Sequence, residues 1–297
     1  MTGFRGPLER GELIAPDGSG GPRFVGRRRV PTGEAIRSLV IAAASTVVVF
    51  GVIAWVAVHA PNWPQVQQAF FDDAVFRETL PQVVVAFGTN IAMFLIAEVL
   101  ILAFGLVIAV LRGLTGPVLF PLRLLATAYT DLFRAVPSLL VIFLLGFGIP
   151  GLGIDGVPTD PFIYAVVALT LVYSAYVSEV YRAGIESIHP SQEAAARSLG
   201  LTRFQALRFV IVPQAVRRVI PPLLNDFIGL QKDTVLVSSI GVVEIFRQAG
   251  IIEQAKFNFT PYLAVALVFV VVTIPLARFT DWLVARDRRH RAVGGFR

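Results

Sequence analysis

Few residues in this chain have the type and spacing that bond-making chemistry requires. A phosphate-cradling loop needs the pattern G-x-x-x-x-G-K-[S/T]. The two lysines, Lys232 and Lys256, instead follow Gln231 and Ala255. His59, His189 and His290 form no H-E-x-x-H pair, and the absence of cysteine removes disulfides and thiolate metal sites. No catalytic, cofactor-binding or metal-binding residue is expected. What remains is a set of ionisable and polar groups set inside apolar stretches: Glu98, Asp131 with Arg134, Glu179 with Arg182, and Asn225, Asp226, Lys232, Asp233 and Thr234.

A charge in hydrocarbon costs about 3 kcal/mol on insertion scales and therefore faces protein or water. Glu98 has two readings on that basis: a hydrogen bond or ion pair that locks neighbouring helices, and a contact with a passing solute. Asp131 and Arg134 are three residues apart, as are Glu179 and Arg182, so each pair suits a local interaction on a helix surface. The group from Asn225 to Thr234 suits the charged ends of a zwitterion if its helix is broken, because irregular backbone at membrane depth lines cavities. Glu98, Glu179, Asn225, Asp226, Lys232, Asp233 and Thr234 are the candidate pathway residues.

The elements that must position these groups follow from composition. Of 297 residues, 55% are hydrophobic and 15% charged, against roughly 25% charged in ordinary soluble domains. The apolar residues fall into runs of about 20, the length that crosses hydrocarbon. An all-α polytopic membrane protein with about six transmembrane helices is predicted. Residues 1–35 read as a disordered cytoplasmic tail, too long and polar for a signal peptide. A first span at 36–60 ends at Pro61 and Pro64. The second apolar run extends from Gln82 to Leu111, with Gly88 and Gly105 as places to bend, and the third from Leu122 to Phe147, interrupted by Asp131, Arg134 and Pro137. The fourth runs from Pro161 to Arg182. A fifth, Val219 to Ile240, is expected to break around Pro221 and Pro222, and a sixth runs from Pro261 to Val284 before a basic tail at 285–297. No repeat of 20 to 50 residues is visible, which excludes solenoids.

The net charge of +6 is explained by membrane orientation and not by nucleic acid, because the arginines lie beside apolar segments without an interleaved aromatic surface. Most of the 26 Lys and Arg fall in the N-terminal tail through Arg37, the turn between Arg112 and Arg123, the segment from Arg182 to Arg218 and the tail from Arg286. The alternate connections hold only Arg77, Arg247 and Lys256. Positive loops stay cytoplasmic, so both termini are expected on the cytoplasmic side.

One of those basic connections is more ordered than a loop requires. Ser191 to Pro213 reads SQEAAARSLGLTRFQALRFVIVP. Pro190 and Ser191 suit a helix start, Glu193 meets the positive end of the helix dipole, three alanines favour helix, and Gly200 suits its stop. A second short helix follows and runs into Pro213. Two readings fit: an amphipathic helix lying on lipid, and a small-residue face for another protein's groove.

The same segment resembles the coupling loop of bacterial ABC import permeases, and more narrowly that of the polar amino acid permease family. That family's pattern Gly-Gln-x-Glu-Ala-Ala-x-Ser-Leu-Gly aligns with Ser191 to Gly200. AYVSEVYRAGIESI from Ala175, PPLLNDFIGLQKDT from Pro221 and YTDLFRAVPSLL from Tyr129 are similar to further motifs of the family, in the same order. The resemblance covers about Leu80 to Asp281. It implies a type I ABC importer core of five helices at 80–284, with the first span outside it. Two positions depart: the motif glutamate falls on Ala194, with Glu193 rotated by about 100°, and Asp-Thr-Ser-Leu reads Asp233-Thr234-Val235-Leu236.

On this resemblance, Gln192, Glu193, Ala195, Ala196, Arg197, Ser198, Leu199 and Gly200 form an ATPase-coupling helix. The chain would be a permease subunit for polar amino acids in a bacterial plasma membrane, working by alternating access. Its implied partners are a second permease subunit, same or sister chain, two cytoplasmic ATP-binding cassette ATPases that bind ATP and Mg²⁺, and an extracytoplasmic substrate-binding protein. Two alternatives from other classes are an ion-coupled secondary transporter, which needs no ATPase but calls for an inverted repeat that is not evident, and a membrane scaffold or sensor.

Overall fold

A computed structural model describes residues 32–294, and among them every regular element is helical. The expected tail at 1–31 and the last residues, 295–297, lie outside the described residues. Among the described residues, four helices are long and apolar enough to cross a membrane, and up to six spans result when each of two bent helix pairs counts as one.

The chain divides into two compact units, Met1–Trp63 and Pro64–Arg297. In the first, α1 (Thr32–Val58) is apolar on all sides and exposed along the described part of its length, the pattern of a helix surrounded by lipid. The hydroxyls of Ser45 and Thr46 are satisfied within the helix, donating to the Ala42 carbonyl at 2.9 and 2.7 Å. The helix starts at Thr32, inside the stretch expected to be disordered, because Glu34 and Ala35 are good helix formers directly before the apolar run.

The second unit opens with α2 (Trp63–Phe70) and then α3 (Asp73–Arg112). Asp72 caps α3 by accepting from the amides of Ala74 and Val75 at 2.9 and 3.0 Å. At 40 residues, or about 60 Å, α3 exceeds the predicted second run. Gly105 serves close packing: a Cβ there would lie 2.7 Å from Val177 Cγ1, so the helix that carries Val177 comes close.

The predicted third run is an elbow. α4 (Phe120–Ala135) and α5 (Ser138–Gly151) meet at 104°. Pro137 forces the preceding Val136 into extended backbone, ψ 129°, which ends α4. α6 (Pro161–Glu186) follows the prediction: Pro161 stands at its first position and Asp160 accepts from the Phe162 amide at 2.9 Å. It is the core helix, with Ala165, Ala168, Leu169, Val172 and Ala175 all buried.

Beyond α6 come α7 (Pro190–Ser198), α8 (Arg203–Ala206), a π-helical turn at Leu207–Ile211 and α9 (Val212–Asp233). Pro221 and Pro222 do not break α9, contrary to expectation. They remove only the ladder bonds to residues 217 and 218, and the helix continues. The break falls later, where a 3₁₀ segment, Thr234–Ile240, ends at Gly241 with φ 93°. α10 (Ile245–Lys256), read in the sequence as a simple connection, then turns away at 48°. α11 (Thr260–Gly294) closes the fold and carries the expected basic tail on as helix.

The main core gathers Met93 and Ile101 of α3, Ile142 of α5, Leu169 and Val172 of α6, Leu230 of α9 and Val237 of the 3₁₀ segment. A second cluster joins Val83 and Phe87 to Ile245, Ala249 and Ala264. Large apolar side chains such as Val85, Val99, Leu125, Leu144 and Val271 face outward, an arrangement suited to lipid as solvent.

Candidate functional site

The α7–α8 region is built to be rigid. His189 caps α7, its Nδ1 accepting from the Ser191 amide at 3.2 Å, with Pro190 at the first helical position. The other end is closed by Gly200 in the left-handed region at φ 86°. There the amide of Leu201 donates to the Ala196 carbonyl at 3.3 Å and that of Gly200 to the Arg197 carbonyl at 3.0 Å, a Schellman closure. Two residues later Thr202 and Gln205 form a reciprocal capping box for α8. Ile188, just before α7, is buried together with Ile211 of the π-turn and Ala215 of α9.

Of the residues singled out in the sequence, Gln192, Ala195, Arg197, Ser198, Leu199 and Gly200 are exposed on this short helix. Ala196 turns inward and is buried. Glu193 is half-buried, with a carboxylate oxygen 4.0 Å from Arg203 Nε. Leu199 is 84% exposed at the tip of the turn.

The intramembrane charges separate into distinct groups. Glu179 pairs with Arg182 as the spacing predicted, and Arg182 also pairs with Glu186 at 2.7 Å. The sequence did not point to Arg112, which comes from α3 to sit 2.6 Å from Glu179 and ties the basic ends of α3 and α6 together. Asp131 and Arg134 form no ion pair among the described residues. Arg134 lies over the Tyr176 ring at 5.9 Å, and Tyr176 Oη donates to the Arg134 carbonyl at 3.4 Å.

The group from Asn225 to Thr234 does not act as one cluster, because 3.6 residues per turn distribute it around α9. Asp226 opens into a cleft of about 390 Å³ lined also by Arg134, Tyr176, Glu179 and Arg218, and its Oδ2 has no hydrogen-bond partner. Glu98 of α3 lies within electrostatic reach of Asp226 and of Tyr181, and no ion pair holds it among the described residues. Two turns along α9 from Asp226, Asp233 accepts from Tyr173 Oη at 2.8 Å. Phe94 and Phe227 meet edge to face, ring centres 4.6 Å apart. Asn225 faces a second cleft beside Thr280 and Asp281 of α11, and Lys232 is exposed.

Thr234 belongs to a third arrangement that sequence reasoning missed. Its Oγ1 accepts from Asn90 Nδ2 at 3.0 Å, and the same nitrogen donates to Glu244 Oε2 at 3.0 Å. Asn90 Oδ1 accepts from the Ile245 amide at 3.1 Å. Glu244, fully buried, also accepts from the amides of Phe246 and Arg247 at 3.1 and 2.7 Å and so caps α10. Gln231 extends the arrangement to α11 by accepting from Thr273 Oγ1 at 3.1 Å. The available signal was Asn90 itself, a carboxamide in the middle of an apolar run.

Bent and broken membrane helices around unpaired carboxyls, with a rigid helical projection at the basic end, define the membrane component of a transporter. Residues 105–289 match the family model described as "Binding-protein-dependent transport system inner membrane component", and the chain belongs to that family. It is 38% identical over 194 residues to the probable glutamine ABC transporter permease protein GlnM of Bacillus subtilis (strain 168), spanning 65% of this chain and 88% of the relative. Identity to the probable amino-acid ABC transporter permease protein PatM of Vibrio harveyi is 38% over 217 residues, 73% of this chain and 96% of the relative. A solved structure described as an amino acid ABC transporter with histidines superposes with a TM-score of 0.67 at 32% identity, covering 72% of this chain and 98% of that one. An inward-facing MetNI methionine ABC transporter, TM-score 0.54 at 19% identity, shares the fold. The chain is therefore a permease component of an ABC importer with the type I fold, and the ion-coupled and scaffold readings fall away.

Proposed function

We propose that this permease forms half of the translocation pathway of an importer for polar amino acids. A second permease subunit, identical or sister, completes the pathway. Two cytoplasmic ATP-binding cassette ATPases, which bind ATP and Mg²⁺, seat on α7, and an extracytoplasmic binding protein delivers the substrate. Both chain termini face the cytoplasm of a bacterial plasma membrane, in keeping with the basic residues at one end of the spans.

The observation that carries the coupling role is the double closure of α7. A helix held by a cap at one end and a Schellman turn at the other moves as a body, so closure of an ATPase pair on Leu199 and its neighbours is passed to α9 without loss in a flexible joint. The substrate class is supported by the names of the relatives and by the solitary carboxyls Glu98 and Asp226 beside aromatic rings, groups that suit an ammonium end.

The test is reconstitution of the complete importer in proteoliposomes and measurement of which amino acids stimulate its ATP hydrolysis. Stimulation by one or more polar amino acids is expected. Stimulation by sugars or peptides alone would remove the substrate reading, and full uptake by the permease without ATPases would remove the coupling reading.

A further inference from the structure

We propose that Asn90 is the positioning residue through which α9 moves α3 and α10 together, so that a stroke delivered to the α7–α8 region reaches both arms of the broken span. This rests on the coupling role given above. α9 begins directly after the π-turn and runs for 22 residues, about 33 Å, a rigid lever across the membrane. Its far end passes into a 3₁₀ segment, whose hydrogen bonds are poorer than those of an α-helix and which often marks a hinge.

At that hinge Asn90 makes three bonds to two different elements: to Thr234 at the end of the lever, and to the side chain of Glu244 and the amide of Ile245 at the start of α10. Asn90 is 1% exposed, and Thr234 and Glu244 are fully buried. No water replaces these bonds when they stretch, and the cost of parting them holds the three elements in register. Between lever and α10 the backbone itself offers only the corner at Gly241, in the left-handed region. Simple packing would be served by an apolar residue at position 90. A carboxamide that donates to both sides and accepts from one of them serves to link them.

The experiment uses the complete importer in proteoliposomes with a radiolabelled mixture of polar amino acids, and reads amino acid taken up per ATP hydrolysed. Asn90→Asp sets a second carboxylate against Glu244 and is expected to lower that ratio about tenfold while hydrolysis continues. The exchange Asn90→Asp with Glu244→Gln restores an amide facing a carboxylate and is expected to recover most of the ratio. Loss of uptake and hydrolysis in equal proportion, or a double variant no better than Asn90→Asp alone, would overturn the proposal. Leu199→Asp in the same assay separates the two readings: native levels of both uptake and hydrolysis there remove the coupling role of α7, whereas the Asn90 result is judged on its own pair of variants.

Discussion

Gly184 of α6 packs so closely on α9 that a Cβ at this position would fall 2.1 Å from Val219 Cγ1. The two helices touch here beside Arg218, which donates to the carbonyl of Ser187, three residues beyond Gly184. Sliding of α9 along α6 has to change this contact.

Overpacking a fitted contact costs about 1–3 kcal/mol. Gly184→Ala is therefore expected to lower the melting temperature of the detergent-purified protein, and Gly184→Ala with Val219→Ala to recover most of the loss because the opposing methyl is gone. A double variant as unstable as the single one would show that the clash is not where the stability resides.

Arg112 and Glu179 are 12% and 24% exposed as side chains, and removal of one partner leaves the other largely buried. Glu179→Ala is expected to cost about 2–3 kcal/mol, the lower end of the range for a buried pair because solvent screens part of it. Arg112→Lys, which keeps the charge but not the fork, falls between Glu179→Ala and the native protein. Thermal unfolding in detergent at fixed salt gives the order.

Leu199→Asp changes an exposed side chain and is expected to leave the melting temperature within a degree or so. Co-purification of the ATPases is expected to drop at least about tenfold, since a carboxylate replaces the apolar side chain at the tip of the proposed docking surface. Retained ATPase at native yield would place the docking surface elsewhere. Gly200→Ala is different: a side chain in the left-handed region costs about 1 kcal/mol, so that variant loses stability as well as partner.

Asp226 has an oxygen without a partner, so Asp226→Asn removes a charge that the fold does not use for pairing. The expected result is unchanged or slightly raised thermal stability together with a changed order of amino acids in the ATP-hydrolysis assay. Tyr173→Phe, which removes the donor to Asp233, is expected to cost about 1 kcal/mol. Equal substrate profiles for Asp226→Asn and the native importer would take Asp226 out of the pathway.

Much of this protein is written in local pattern. Apolar runs of about 20 residues gave the spans. Capping residues at fixed offsets around Ser191 to Gly200 gave α7 and its stop, because capping is decided within a few residues of chain. Spacing likewise found the Glu179–Arg182 pair, three residues apart.

What the tertiary structure decided is which distant groups meet. Asn90 bonds a carboxylate 154 positions away, and Arg112 finds Glu179 across 67. No periodicity reports such partners, since they depend on how α3, α6 and α10 pack and not on the order of neighbours along any one of them. The prolines of α9 show the same limit: they signalled a break, yet the α-helix is continuous to Asp233 and the 48° turn falls between Ile240 and Ile245, where Glu244 and Asn90 fix a new helix start. Sequence alone determined the apolar spans, the start of α6, the cap and stop of α7 and, through its motifs, the family, because each of these is written in neighbouring residues. The pairing of polar groups belonged to the folded molecule, because burying them in a medium without water makes each one's partner a property of the whole packing.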